Sequence, residues 1–276
     1  MQIEPIAHIK TPLEEKFGTP RQGVLAPHLR GRISFEPPFR NPDSIRGLEG
    51  FSHIWLIWGF HANPGFDAGA GADVASGAGA NAVAGADANG AADSDSGAAG
   101  AAANPASGAK CRRQLTVRPP RLGGNVRTGV FATRSPFRPN PLGLSLVKLD
   151  KVDLESPGGP FLEVLGPDLV SGTPIYDIKP YIPYGDSVPE ALCGFVTGTG
   201  FAPLEVHISP ETELAVADHA GEEALLALRE ILSADPRPQY HDSAERIYGL
   251  AFAGMDIKFR VADGALEVLS AEKRPR

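Results

Sequence analysis

Thr128-Gly129-Val130-Phe131-Ala132-Thr133-Arg134-Ser135-Pro136-Phe137-Arg138-Pro139-Asn140-Pro141-Leu142-Gly143-Leu144-Ser145 sets the pattern for the chain. Its first third, Thr128–Thr133, is small and β-branched and reads as a short buried strand. The middle is barred from regular structure. Pro136, Pro139 and Pro141 lack amide protons and push the residues before them into extended conformations. Arg134, Ser135, Arg138 and Asn140 alternate with those prolines, so the loop presents two guanidinium groups, a hydroxyl and a carboxamide on a stiff frame. After Gly143 a strand resumes from Leu144. A polar loop that is already rigid loses little further entropy on binding, and such loops at strand ends are where proteins bind and react.

The same rhythm of short strands broken by Gly and Pro continues on both sides. Ile3–Ile9, Gly31–Glu36, Phe51–His61, Leu144–Val152, Phe161–Leu165 and Pro174–Ile178 read as strands, with an extended stretch at Leu115–Leu122. Many short strands with such punctuation predict a closed or nearly closed antiparallel β-barrel. Asn41-Pro42-Asp43 reads as a helix start leading into a short turn through Leu48. His61 closes its strand and is either a ligand or base, or a capped polar residue. His53, inside the strand, reads as a satisfied core residue. The last part changes character. In Gly221–Ser233 the apolar residues Ala224, Leu225, Leu228, Ile231 and Leu232 recur at helical spacing. Ile247–Phe252, Asp256–Val261 and Leu266–Ala271 read as strands, the last two joined by a hairpin at Asp263-Gly264. The expected fold is therefore mainly β. A barrel occupies residues 1–205, and a smaller α+β domain occupies 206–276.

Gly65–Ala109 interrupts the barrel. It is almost entirely Gly, Ala, Asp, Asn and Ser, with Phe66, Val74 and Val83 as its bulky side chains. Such a segment buries too little to offset its ordering entropy, so a disordered insertion is expected. Its Gly-Ala-Gly triplets follow no strand and precede no amphipathic helix, which excludes dinucleotide loops.

Composition sets outer bounds. The 276 residues are 42% hydrophobic and 21% charged, with a net charge of −7. The two cysteines, Cys111 and Cys193, have no metal-ligand spacing and fit a reduced, cytoplasmic interior. Met1–Lys10 lacks a leader pattern, and the apolar run Ile54–Phe60 is too short to span a bilayer, so no membrane role is expected. The acidic total hides a basic band. Ser96–Leu149 contains no Asp or Glu but holds Lys110, Arg112, Arg113, Arg118, Arg121, Arg127, Arg134, Arg138 and Lys148. That band is either a solvated basic face or a phosphate-binding one, and arginine suits bidentate phosphate contacts. A Rossmann unit, a P-loop, a Gly-x-Ser-x-Gly elbow and the zinc-deaminase signature are all absent.

The proline loop also carries a resemblance. Gly129-Val130-Phe131-Ala132-Thr133-Arg134-Ser135-Pro136-Phe137-Arg138-Pro139-Asn140-Pro141-Leu142-Gly143 resembles the signature of the TsaA-like, or TrmO, family of tRNA methyltransferases. Further blocks match in family order: Pro20-Arg21-Gln22, Arg46–His53, Val117–Asn125, Asp168-Leu169-Val170, Asp177-Ile178-Lys179-Pro180-Tyr181 and Asp235-Pro236-Arg237-Pro238. The resemblance covers the chain apart from the insertion, where family members have a short connection.

It implies an S-adenosyl-L-methionine-dependent homodimeric enzyme. The implied reaction adds a methyl group to N6 of the threonylcarbamoyladenosine 3′ of the anticodon in tRNA, with neither DNA nor membrane as a partner. A rival reading from another class is a non-catalytic RNA-binding barrel. Implied cofactor contacts fall on Gly23, Val24 and Leu25, on His61 and Ala62, on Arg134 and Leu144, and on Leu165, Gly166, Pro167 and Asp168. At the first of these the sequence departs from the family's Pro-Gly-Leu form. Asp168 would accept from a ribose hydroxyl or the adenine amino group, and Arg134 would pair with either the methionine carboxylate or RNA phosphate. Period two puts Asp177 and Lys179 on one strand face, as either a structural ion pair or site residues. In the family context Asp177 is the acceptor for the N6 proton, Tyr181 stacks on a base and Asn140 holds the substrate's carbamoyl or carboxylate group. Arg112, Arg113, Arg118, Arg121, Arg138 and Lys179 are expected on the tRNA. Arg237 either joins them or docks the two domains.

Overall fold

In the computed structural model, residues 3–61, 115–119, 126–197, 202–237 and 244–275 are described. The insertion Gly65–Ala109, together with Ala62, Arg112, Arg113 and Arg121, lies outside them.

Six strands close into a barrel: β1 Ala7–Lys10, β2 Arg30–Phe35, β3 His53–Gly59, β6 Leu142–Asp153, β7 Phe161–Leu165 and β8 Thr173–Pro180. Their order around the barrel is β1-β2-β7-β6-β3-β8, and every neighbouring pair is antiparallel. Closure removes the exposed edges that a six-stranded sheet would otherwise offer to aggregation. Alternation decides which side chains fill it. Ile9, Ile33, Ile54, Leu56, Val147, Leu162, Val164 and Ile175 are fully buried and form the barrel core. Among these inward positions stands one hydroxyl of β6, Ser145, which is 2% exposed.

The proline loop differs from the short-strand expectation. Only Thr128–Gly129 is extended (β5), paired with Thr116–Val117 (β4). Val130–Ala132 then winds into a single 3-10 turn. β6 instead begins earlier than read, at Leu142, and runs to Asp153. The loop between is wired to itself. Ser135 N donates to Thr133 Oγ1, Phe137 N to Ser135 Oγ, and the Arg138 guanidinium to the carbonyls of Thr133 and Ser135. Two further readings are corrected. Asn41–Ile45 and Gly47–Phe51 hold separate 3-10 turns rather than one helical start. His53 is only half-buried rather than a fully buried core residue, hydrogen-bonded to Ser52 Oγ and edge-on to the Tyr181 ring.

The C-terminal part is a four-stranded sheet, order β10-β11-β12-β9, from Tyr248–Phe252 (β10), Met255–Ala262 (β11), Ala265–Lys273 (β12) and Glu205–His207 (β9). Asp263 and Gly264 both take positive φ, the signature of the tight hairpin turn read from the sequence. After the short helix α1, Pro183–Asp186, two longer helices cover this sheet, α2 Pro210–Ala220 and α3 Glu222–Ser233. α3 buries Leu225, Ala227, Leu228, Ile231 and Leu232, as its spacing predicts. α2 escaped that reading because Val216 is its one buried side chain. It starts on a cap, Ser209 Oγ accepting from Thr212 N, with Pro210 in the first turn.

The loop Thr11–Pro27 ties barrel to sheet. Leu13, Ala26 and Leu29 are buried in the C-terminal core, and Phe17 stacks near Tyr248 and Phe259. Leu13 bridges to Phe252, and Ala253 N donates to Pro12 O. What reads as a plain loop is thus held at both ends by packing.

Candidate cofactor site at the barrel end

A cavity of about 800 Å³ opens where the proline loop, the end of β3 and the Thr11–Pro27 loop meet. That is the size of a small-molecule site. Arg134, Arg138, Asn140 and Leu144 line it from the proline loop and β6, His61 from the end of β3, and Asp168 from the turn after β7. Residues far apart in sequence therefore converge, whereas Gly23, Val24, Leu25, Leu165, Gly166 and Pro167 are not among the residues lining the cavity.

The stretch carrying Gly23, Val24 and Leu25 packs against the one carrying Leu165, Gly166 and Pro167. Val24 N donates to Gly166 O at 2.9 Å. A Cβ on Gly166 would lie 3.1 Å from Val24 Cα, so this glycine permits the close approach, while one on Gly23 would lie 2.5 Å from Leu146 O, so Gly23 lets the loop approach β6. Val24 itself has φ of 64°, a conformation that a β-branched residue pays for in steric strain.

Asp168 is the one carboxylate among the described residues lining the cavity. Burial pushes its carboxyl above the usual range. The Ser145 hydroxyl, the Arg134 charge and the Gly23 backbone N–H act in the opposite direction. Ser145 Oγ donates to Asp168 Oδ1 at 2.5 Å and accepts from Trp58 Nε1 at 2.9 Å. Burial likewise holds His61 below the usual imidazole range, helped by the charges of His8 and Lys16, so it is neutral near pH 7. The Arg134 guanidinium donates to Gln22 Oε1, which fixes it across the cavity mouth.

Several lining residues carry no signal that singles them out in the sequence. Lys16, Trp58 and Phe60 reach the cavity through tertiary packing alone. Arg21 lies in a family block, and its guanidinium donates to the carbonyls of Asp235 and Arg237.

Asp177, Lys179 and Tyr181 do not line the cavity. Asp177 lies within β8 rather than at a strand end, and pairs with Lys179 at 2.9 Å. Their side chains are 45% and 62% exposed. Their partners across the sheet, Ile57 and Trp55, do line it, so this group borders the cavity from the outer face of β3 and β8. Tyr181 lies 6.0 Å from Trp55 and 6.3 Å from His53, ring to ring. Arg118 is exposed immediately after β4. Arg237 turns inward, 15% exposed, with its guanidinium on both oxygens of Asp235. Among the described residues no cluster of His, Cys, Asp or Glu is arranged to hold a metal ion.

The donor set fits S-adenosylmethionine. Asp168 offers an acceptor for hydroxyl or amino donors, and Arg134 and Arg138 offer cations for a carboxylate.

The family model for the tRNA-methyltransferase O N-terminal domain matches residues 8–82 and 105–187, and that for the TrmO C-terminal domain matches 201–274. An Escherichia coli protein named tRNA (adenine(37)-N6)-methyltransferase is 34% identical over 277 residues, 99% of this chain and 98% of its own. RcsF of Pseudomonas aeruginosa, named for S-adenosylmethionine-dependent methyl transfer, is 35% identical over 91% of this chain and 83% of its own. A crystal structure of TrmO from P. aeruginosa superposes with a TM-score of 0.67 at 27% identity, covering 99% of this chain and 97% of the other. With both halves matched and the likeness running end to end, the chain belongs to the tRNA-methyltransferase O family.

Proposed function

We propose that this protein is an S-adenosylmethionine-dependent tRNA methyltransferase. Its proposed target is N6 of the threonylcarbamoyladenosine 3′ of the anticodon. The observation that carries this reading is the full-length likeness to the E. coli protein named for N6 methylation of adenine 37, joined to a cavity that gathers the family's motif residues. The cofactor supplies an electrophilic methyl group when bound.

The chain's own residues hold and orient the reactants. Asp168 accepts from the cofactor's ribose or amino groups, and the backbone of Gly23, Val24 and Leu25 closes over it together with Leu165, Gly166 and Pro167. His61 and Leu144 line the same cavity, and Ala62, outside the described residues, is assigned to the cofactor by the family resemblance. Arg134 pairs with the methionine carboxylate or with RNA phosphate. Asn140 holds the carbamoyl or carboxylate group of the modified base. The target nitrogen is a poor nucleophile because its lone pair is delocalised, so an acceptor must take its proton. Asp177 is the proposed acceptor and Tyr181 the stacking partner. Most of the rate gain comes from orientation.

Arg112, Arg113, Arg118, Arg121, Arg138 and Lys179 bind the anticodon loop through phosphates, and the inward turn of Arg237 supports its docking role. Phe131 and Phe137 are 74% and 52% exposed beside the cavity, which supports a homodimer that covers them. Among the described residues no helix is long and apolar enough to cross a membrane. A cytoplasmic location follows from the substrate.

The test is mass spectrometry of tRNA nucleosides from cells with and without the gene. The N6-methylated form of threonylcarbamoyladenosine disappears on deletion and returns when purified protein and S-adenosylmethionine are added. Unchanged nucleosides would overturn the reading.

A further inference from the structure

Trp58, Ser145 and Asp168 form a hydrogen-bonded row at the cavity end of the barrel. Trp58 and Gly143 face each other across β3 and β6. A Cβ on Gly143 would lie 2.3 Å from two atoms of the indole, so this glycine is the seat on which the ring lies flat. Seated there, the indole reaches two residues along the same face of β6 to Ser145.

The chemistry of the three groups fixes the direction of every proton. An indole N–H only donates. Ser145 Oγ is therefore its acceptor, and the single hydroxyl proton goes to Asp168 Oδ1. Oδ1 must in turn be an acceptor. A proton bound at Oδ1 would face the serine proton head-on.

We propose that Ser145, anchored by Trp58, is a positioning residue that keeps Asp168 an ionised acceptor, so that the site selects a ligand group carrying N–H or O–H protons. The inference rests on the reading of Asp168 as a cofactor contact. The other charged or titratable groups around Asp168, among the described residues, are Arg134, whose charge acts with Ser145, and Lys16, Arg21, His61 and Arg138, which line the same cavity. Burial works against the ionised form. Without the serine hydroxyl, Asp168 takes up a proton at higher pH and loses acceptor capacity there.

Calorimetry of S-adenosylmethionine binding across pH 4.5–8, with the full-length protein, tests this. We expect Ser145→Ala to weaken binding about tenfold at neutral pH and to move the acid-side loss of affinity upward by roughly one pH unit, in the range expected for a hydrogen bond to a charged group. Trp58→Phe keeps an aromatic ring, smaller than the indole, and removes the N–H donor, so it moves the limb the same way by less. It also keeps the proposal testable should Ser145→Ala fail to fold. Asp168→Asn should bind weakly with no acid limb. An acid limb left at its wild-type position in both Ser145→Ala and Trp58→Phe overturns the relay, as does a limb that persists in Asp168→Asn. Absence of heat with the wild-type protein would instead overturn the cofactor reading itself.

Discussion

Asp168 lines the cavity from the turn after β7, Asp177 borders it on β8, and their surroundings differ throughout. Asp168 lines the cavity, receives the Ser145 proton and is held away from its ordinary protonation by burial. Asp177 faces outward, nearly half exposed, beside a lysine that is more exposed still. In water an ion pair of that kind contributes about 0–1 kcal/mol. The contrast teaches where each carboxylate can act. A sheltered acceptor discriminates between ligand groups because water cannot replace it. An exposed one acquires chemical weight only when a nucleotide covers it.

The largest expected effect separates the two. Asp168→Ala should lower S-adenosylmethionine affinity about a hundredfold or more, read by calorimetry, because its role is to hold the ligand. Asp177→Asn should leave that affinity and the melting temperature unchanged and lower the single-turnover transfer rate about a hundredfold, the range for a positioned proton acceptor. A wild-type rate in Asp177→Asn would reduce the Asp177–Lys179 pair to surface structure and leave orientation by Arg134 and Asn140 as the source of catalysis.

The next effect concerns pH. His61 has a folded-state affinity for protons below its unfolded value, so the unfolded chain binds more protons through the imidazole range. Stability is then full above pH 6.5, the ordinary value, and falls as pH drops below it. His61→Gln should shrink the loss of melting temperature between pH 7.5 and 5.5 by a few degrees. Equal losses in variant and wild type would show that His61 is solvated and charged like an exposed imidazole.

Smaller again is the backbone cost at Val24. Val24→Gly removes the penalty for a side chain at positive φ and should raise stability by about 1 kcal/mol, a shift of roughly 2–4 °C in a chain of this size. A lower melting temperature would mean that the exposed valine side chain packs against something worth more than the strain. The smallest effect is expected for the insertion. Replacing Gly65–Ala109 with a short Gly-Ser connection should change cofactor affinity and turnover by less than about threefold, since closure cost grows slowly with loop length.

The reading of the strands shows what local pattern can and cannot carry. β2 and β7 appear within a residue or so of their places because alternation and bordering Gly or Pro are written into adjacent positions. Thr128–Thr133 has the composition of a strand but winds into a turn after Gly129, because only Thr116–Val117 is available to pair with it. α2 is invisible to periodicity, since a helix that buries one side chain needs no stripe. The Trp58–Ser145 contact also left no trace, as both are ordinary residues for a buried strand.

By itself the sequence determined the barrel class, the helix α3, the terminal hairpin, the stiffness of the proline loop and the family. Each depends on neighbours in the chain or on a string of residues in order. Only the tertiary structure decided that Asp168 is sheltered while Asp177 is exposed, and that Lys16 and Trp58 reach the cavity. Closure of six strands brings β3, β6 and the turn after β7 within hydrogen-bonding distance, and a carboxylate's proton affinity follows from what surrounds it in space.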